Sequence, residues 1–286
     1  MRVLLAGLCT VDVVQRVDDL PEPGRKVQSR SVTVAAGGPA TNAAVTVAAL
    51  GGEATLLTVL GTHPLAGLAR ADLAECGVTV LDALPGHAPP PAVSAVTVRE
   101  RDGERTVVSN NAAKVPERVP FDTGSLPEAD TVLLDGHHPD LARAVARWAR
   151  GRGATVVLDA GSWRPVFADL LPQADIAACS AQFRAPAGGL RGVPTVITTA
   201  GPDPVRWTSG EDSGEVPVPR VTARDTLGAG DVWHGALALR AGELDPPGLI
   251  EFANAVAAER VRHAGPRSWL GPIRAKMGEI WNSRSY

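Results

Sequence analysis

Short apolar runs of β type recur along the chain at residues 2–7, 54–60, 131–134, 155–159, 175–178 and 195–199. Between them, apolar residues return at helical spacing over residues 40–50, 65–76, 140–150 and 230–241. Strands alternating with helices predict an α/β fold with a central, mostly parallel sheet flanked by helices on both faces. Two stretches, residues 11–34 and 91–109, break this rhythm because strand-like alternation continues in them with no intervening helix. In the second, Val93, Ala95, Thr97 and Arg99 alternate with Ser94, Val96 and Val98, and Arg101-Asp102-Gly103-Glu104 supplies a hairpin turn. These stretches predict a small β-sheet lid over the edge where open α/β sheets bind ligands, or else ordinary edge strands without mobility.

A chain of 286 residues suits a single domain over 1–286 whose lid strands come from about 11–34 and 91–109. The net charge of −3, with Lys and Arg scattered, argues against nucleic acid and for a small-molecule partner. Cys9, Cys76 and Cys179 share no metal-ligand spacing, which predicts buried thiols in a reducing cytoplasm and no metal site built by the protein alone. The apolar start Val3-Leu4-Leu5-Ala6 is too short for a signal-peptide core, and no run reaches membrane-spanning length. The expectation is a soluble protein that is not exported and contacts no membrane.

The segment Asp225-Thr226-Leu227-Gly228-Ala229-Gly230-Asp231 lies between a β-type run at 216–221 and an apolar helical pattern through Val232, Ala236, Leu237 and Leu239. Its glycines therefore sit at a helix N-terminus, where unpaired N–H groups and the helix dipole favour an anion. Gly228 and Gly230 leave room for a phosphate to approach, and phosphoryl transfer depends mainly on such positioning and charge stabilisation. Asp231, just inside the helix, is placed to take a proton from a substrate hydroxyl; read alone, it would equally well cap the helix.

This segment resembles the C-terminal signature of the ribokinase-like, or PfkB-type, carbohydrate kinases. The resemblance implies that Asp231 is the catalytic base and that Gly228, Ala229 and Gly230 form the anion hole. Gly37-Gly38-Pro39-Ala40-Thr41-Asn42-Ala43-Ala44 is similar to the family's N-terminal signature, which implies substrate contacts from Gly37, Gly38 and Asn42. By the same resemblance Asp12 accepts hydrogen bonds from sugar hydroxyls and Arg105 faces substrate from a lid strand. Thr199, Gly201, Thr226, Asn254 and Gly265 are the implied nucleotide contacts, the last two bordering adenine. Further implications are ATP as phosphoryl donor, Mg2+ held mainly through its phosphates, a monovalent cation near Asp225 and the loop after His263, and a homodimer joined through lid strands.

The chain departs from the family pattern in its nucleotide half. Where many members carry Asn-x-x-Glu, this chain has Ser180-Ala181-Gln182-Phe183, as ketohexokinase-like and sulfofructose-kinase-like branches also lack that pair. The connection from Cys179 to Pro194 is barely long enough for a parallel crossover, so a helix is expected to be trimmed or lost there. Proline replaces the second glycine of the family's turn in Thr199-Ala200-Gly201-Pro202-Asp203-Pro204. The favoured expectation is a sugar kinase. A non-catalytic sugar or nucleotide sensor is the competing class, but it would have no need of Asp231; a nucleoside kinase would want aromatic side chains that the early lid stretch lacks.

Overall fold

The computed structural model describes residues 1–282 apart from Lys114, Glu117 and Ala187, with the backbone alone for residues 277–282. The chain opens with β1 (Arg2–Ala6), β2 (Thr10–Val17) and β3 (Ser31–Gly37), followed by α1 (Pro39–Ala49), β4 (Glu53–Thr58), α2 (Pro64–Cys76) and β5 (Val78–Asp82). Next come β6 (Ala92–Arg99), β7 (Arg105–Ser109), β8 (Thr131–Leu134), α3 (Pro139–Arg152), β9 (Thr155–Ala160), the short α4 (Phe167–Leu170) and β10 (Ile176–Ser180). The last part holds β11 (Thr195–Ala200), β12 (Asp203–Ser209), β13 (Asp212–Val216), α5 (Ala229–Arg240), α6 (Pro246–Val261) and α7 (Leu270–Asn282).

The main sheet runs β13-β12-β11-β10-β9-β8-β1-β4-β5, parallel except for the antiparallel pairings of β12 with β11 and β13. Successive β1 residues feed opposite cores: Val3 and Leu5 pack with residues of α1, α5 and α6, whereas Leu4 and Ala6 pack with residues of α3 and α4. Burial on both faces explains why these strands read as unbroken apolar runs. Helix ends follow local chemistry. Pro39 opens α1, the His63 imidazole caps α2 by accepting from Leu65 N at 3.2 Å, and α2 stops at left-handed Gly77.

Four strands form a separate sheet ordered β3-β2-β6-β7, from the stretches where alternation had broken the α/β rhythm. Ser94, Val96 and Val98 of β6 are buried, and Val14, Val96 and Val98 pack with Leu227 of the glycine-rich segment. The small sheet thus rests on that segment. Its hairpin tip is equally close, since a side chain at Gly103 would meet the Arg224 carbonyl.

The expected strand at 216–221 is corrected: β13 ends at Val216, because Pro217 and Pro219 have no N–H for a ladder. Unanticipated elements are β5, the β12–β13 hairpin and α7. The link from β10 to β11 is parallel and carries no helix among its described residues, as its length implied.

Candidate active site

Gly228 is the left-handed residue before α5, so Gly230 and Asp231 occupy the helix's first turn. The Asp231 side chain makes no capping bond there. Instead its carboxylate accepts from Asn42 Nδ2 of α1 at 2.8 Å, across 189 residues of sequence. Helices α1 and α5 come close enough because Gly235 has no side chain: a Cβ would lie 2.5 Å from the Ala43 carbonyl oxygen. The Asn42 amide is held from its other end by Arg267, whose Nη1 lies 3.5 Å from Oδ1. Arg267 itself is fixed by Asp72 at 2.7 Å and by the Ala36 carbonyl at 2.6 Å. Burial pushes the Asp231 carboxyl above the ordinary carboxylate range, and the Asn42 bond partly offsets that rise.

Asp12 faces the same region from β2, with Thr10 donating to its carboxylate at 2.5 Å. Asp12, Asn42, Gly228 and Arg267 line one small cleft. Gly37 is required beside it, since any side chain would collide with the Asp12 carboxylate. Gly38, at φ 96, presses against the Leu8 carbonyl and turns the chain into α1. Burial also raises the Asp12 carboxyl above its usual range. Arg105 lies on exposed β7, and the contact it makes is donation from Nη1 to Thr226 Oγ1 at 2.6 Å. It bridges the small sheet to the glycine-rich segment.

Asp225 anchors that segment from a buried position. Its carboxylate accepts from Leu227 N at 2.9 Å and from Gly265 N at 2.8 Å. Arg16 of β2 and Arg260 of α6 lie 3.6 and 3.7 Å from it.

A second cavity, of about 590 Å³, opens on the opposite side of the segment. Thr199, Gly201, Thr226 and Asn254 line it together with Ala229 and Gly230, and much of the remaining wall is apolar, including Val205, Val218 and Val261. Asn254 is a wall residue whose amide is already engaged: Oδ1 accepts from Trp233 Nε1 at 2.8 Å, and Nδ2 donates to the Pro217 carbonyl at 3.1 Å. Gly265 is not among the residues lining this cavity, and its N–H donates to the Asp225 carboxylate at 2.8 Å. Phe183, at the end of the segment expected from the family resemblance to carry Asn-x-x-Glu, is buried against Trp163 and Phe167, with ring centroids 5.8 and 5.7 Å apart. Ser180 donates to the Gly161 carbonyl at 2.7 Å.

Two further carboxylates are buried at strand ends. Asp135, after β8, accepts from Leu8 N at 2.9 Å and Ala40 N at 3.2 Å, pinning α1 to the sheet. Burial alone would raise its pKa, but the His137 ring and the N–H groups of His137 and Leu8 hold it well below the usual range. Asp159, at the end of β9, lies 3.5 Å from His234 Nδ1, and burial lifts its carboxyl to about 6.

The family model described as pfkB family carbohydrate kinase matches residues 2–182 and 185–271. The chain belongs to the pfkB family of carbohydrate kinases. This sugar kinase is 34% identical to an ATP-dependent ribose-1-phosphate kinase of Halopiger xanaduensis over 94% of each chain. Among solved structures it is similar to the ribokinase of Thermotoga maritima, with a TM-score of 0.78, 22% identity and 99% of each chain covered. It is also similar to the Arabidopsis thaliana ribokinase complexed with ribose and ATP, with a TM-score of 0.72, 22% identity and coverage of 95% of this chain and 98% of that one.

Sequence reasoning did not pick out Asp135, Asp159, His234, Arg260 or Arg267 in the kinase. Arg260 carried a readable signal: it follows Ala253 by seven residues and Val256 by four, placing a charge on the buried stripe of α6. Arg267 stood inside the quoted His263–Arg267 loop, but only the fold shows that it reaches back to Asn42.

Proposed function

We propose that this kinase transfers the γ-phosphoryl group of ATP to a hydroxyl of a small sugar, with Asp231 as general base. The observation carrying this reading is the Asn42–Asp231 hydrogen bond at the head of α5, between the cleft of Asp12 and the larger cavity. The sugar lies beside Asp12, Gly37, Gly38 and Asn42, and the nucleotide fills the larger cavity past Thr199, Gly201 and Thr226, with Asn254 shaping its wall. As the sugar oxygen bonds to the γ-phosphorus, its proton passes to Asp231. The bond from phosphorus to the β-γ bridging oxygen breaks, and ADP leaves with that electron pair. A carboxylate pushed upward by burial is a stronger base for this step than an exposed one.

Gly228, Ala229 and Gly230 receive the transferred oxygens at the helix N-terminus. Ala229 N now donates to the Thr226 carbonyl over 3.3 Å, a long bond that a phosphate oxygen can replace. When bound through the nucleotide phosphates, magnesium would supply neutralisation of their charge. The β3-β2-β6-β7 sheet acts as the lid, with Arg105 and Arg16 tying it down onto residues 225 and 226 when closed. Arg105 then works as a latch next to the substrate.

Exposed valines on both lid edges, Val32 and Val34 on β3 and Val107 and Val108 on β7, support a homodimer through these strands. A monomer by light scattering would remove that element. Buried thiols at Cys9, Cys76 and Cys179 suit a reducing cytoplasm. The decisive assay is ATP turnover over a sugar panel led by ribose 1-phosphate and ribose, with Asp231→Ala as control. Sugar binding without phosphoryl transfer under any divalent metal would end the kinase mechanism.

A further inference from the structure

Resting on the reading of residues 225–231 as the catalytic loop, we infer that the Arg260 guanidinium is that loop's built-in cation, so the kinase turns over without added potassium or sodium. Arg260 Nη2 donates to the Leu227 carbonyl at 2.7 Å. Nη1 donates to the carbonyls of His263 at 2.8 Å and Asp225 at 3.3 Å. The Asp225 carboxylate lies 3.7 Å from Nη2. Three carbonyls and a carboxylate, drawn from the loop before α5 and the turn after α6, thus converge on one buried positive charge. Carbonyl oxygens arranged in this way can replace the hydration shell of a monovalent ion.

Here the guanidinium has taken those lone pairs, and the residues do not fit a second cation. An inserted ion would have to displace a side chain that is 2% exposed. It would also place a further positive charge at a carboxylate that already faces both Arg260 and Arg16. The location matters for catalysis because the anchored carbonyls flank Gly228, which opens the anion hole. Arg260 also borders the cleft shared by Asp12, Asn42 and Gly228. Arg260 is therefore a positioning residue, setting the shape and potential of the loop without touching the transferred group. Ordinary packing by a buried Arg–Asp pair would stabilise the fold but would not make activity answer to a small cation.

The test is ATP-dependent sugar phosphorylation in tetramethylammonium buffer with magnesium, titrated with potassium or sodium chloride. Wild-type kcat should stay within about twofold, where an activating site coupled to catalysis would give roughly 5- to 150-fold. Arg260→Ala should lose kcat and regain at least about tenfold when potassium or low guanidinium chloride is added, with tetramethylammonium chloride at matched ionic strength inert. Wild-type activation of about tenfold by potassium overturns the inference. So does an Arg260→Ala enzyme with unchanged kcat, or one whose loss no cation restores. If Arg260→Ala does not fold, the wild-type titration decides alone. Absence of turnover in every buffer would instead defeat the kinase mechanism itself.

Discussion

The two sides of the 225–231 segment are built by different means. On the Asp12 side, polar side chains from distant parts of the chain hold one another: Asn42 with Asp231, Arg267 with Asn42 and Asp72, and Arg16 and Arg260 around Asp225. On the cavity side the wall is largely backbone and apolar side chain, and its buried amide, Asn254, is spent on Trp233 and Pro217. A site that must place a proton acceptor precisely is dense in charge-assisted hydrogen bonds; one that accommodates a flat, largely apolar ring is dominated by shape. Phe183 packs in the core against Phe167, and neither it nor the helix-free link between β10 and β11 lines the Asp12 cleft.

Substitutions on the two sides should therefore fail differently. The largest effect is expected for Asp231→Asn, which should lower kcat by about 10²- to 10⁴-fold with little change in melting temperature, measured by coupled ADP assay and calorimetry. Asn42→Ala removes a hydrogen bond to a charged group and should cost roughly 10- to 100-fold in kcat/KM. It should also move the acid limb of the pH–rate profile upward, because the bond that offsets the burial of Asp231 is gone. Asn254→Ala should act on stability, lowering it by about 1–3 kcal/mol in urea unfolding while kcat stays near wild type. A large loss of kcat there would mean that the cavity side takes part in the chemistry after all.

The last effect concerns Asp159. Its folded pKa, about 6, is raised above the unfolded value, so its contribution to stability is full below the unfolded pKa of roughly 4 and disappears as pH rises through 6. Asp159→Asn should accordingly be more stable than wild type at pH 8, by up to about 3 kcal/mol, with the difference shrinking toward pH 4. Urea melts at both ends of that window check the sign.

Much of this architecture was legible from patterning. Strands buried on both faces read as apolar runs, and the small second sheet declared itself by alternation without a helix. The β12–β13 hairpin escaped because its strands carry Arg206, Thr208, Asp212 and Glu215, leaving no apolar run to recognise. In the site, the two glycine-rich signatures were visible because each is local. The bond that joins them, Asn42 to Asp231, was not, since only the fold brings α1 against α5. Gly265 was assigned toward adenine from sequence, whereas its N–H serves Asp225; a glycine after a helix does not reveal which carboxylate it will meet.

The proposed chemistry is transfer of phosphorus from nucleotide to sugar at Asp231. Following the phosphorus of ATP by 31P NMR, with ribose 1-phosphate and ribose as acceptors, tests it most directly. The expected result is ADP together with a new phosphate ester on a sugar hydroxyl, formed by the wild type and not by Asp231→Asn. Release of inorganic phosphate alone, or the same ester formed at wild-type rate by Asp231→Asn, would contradict it.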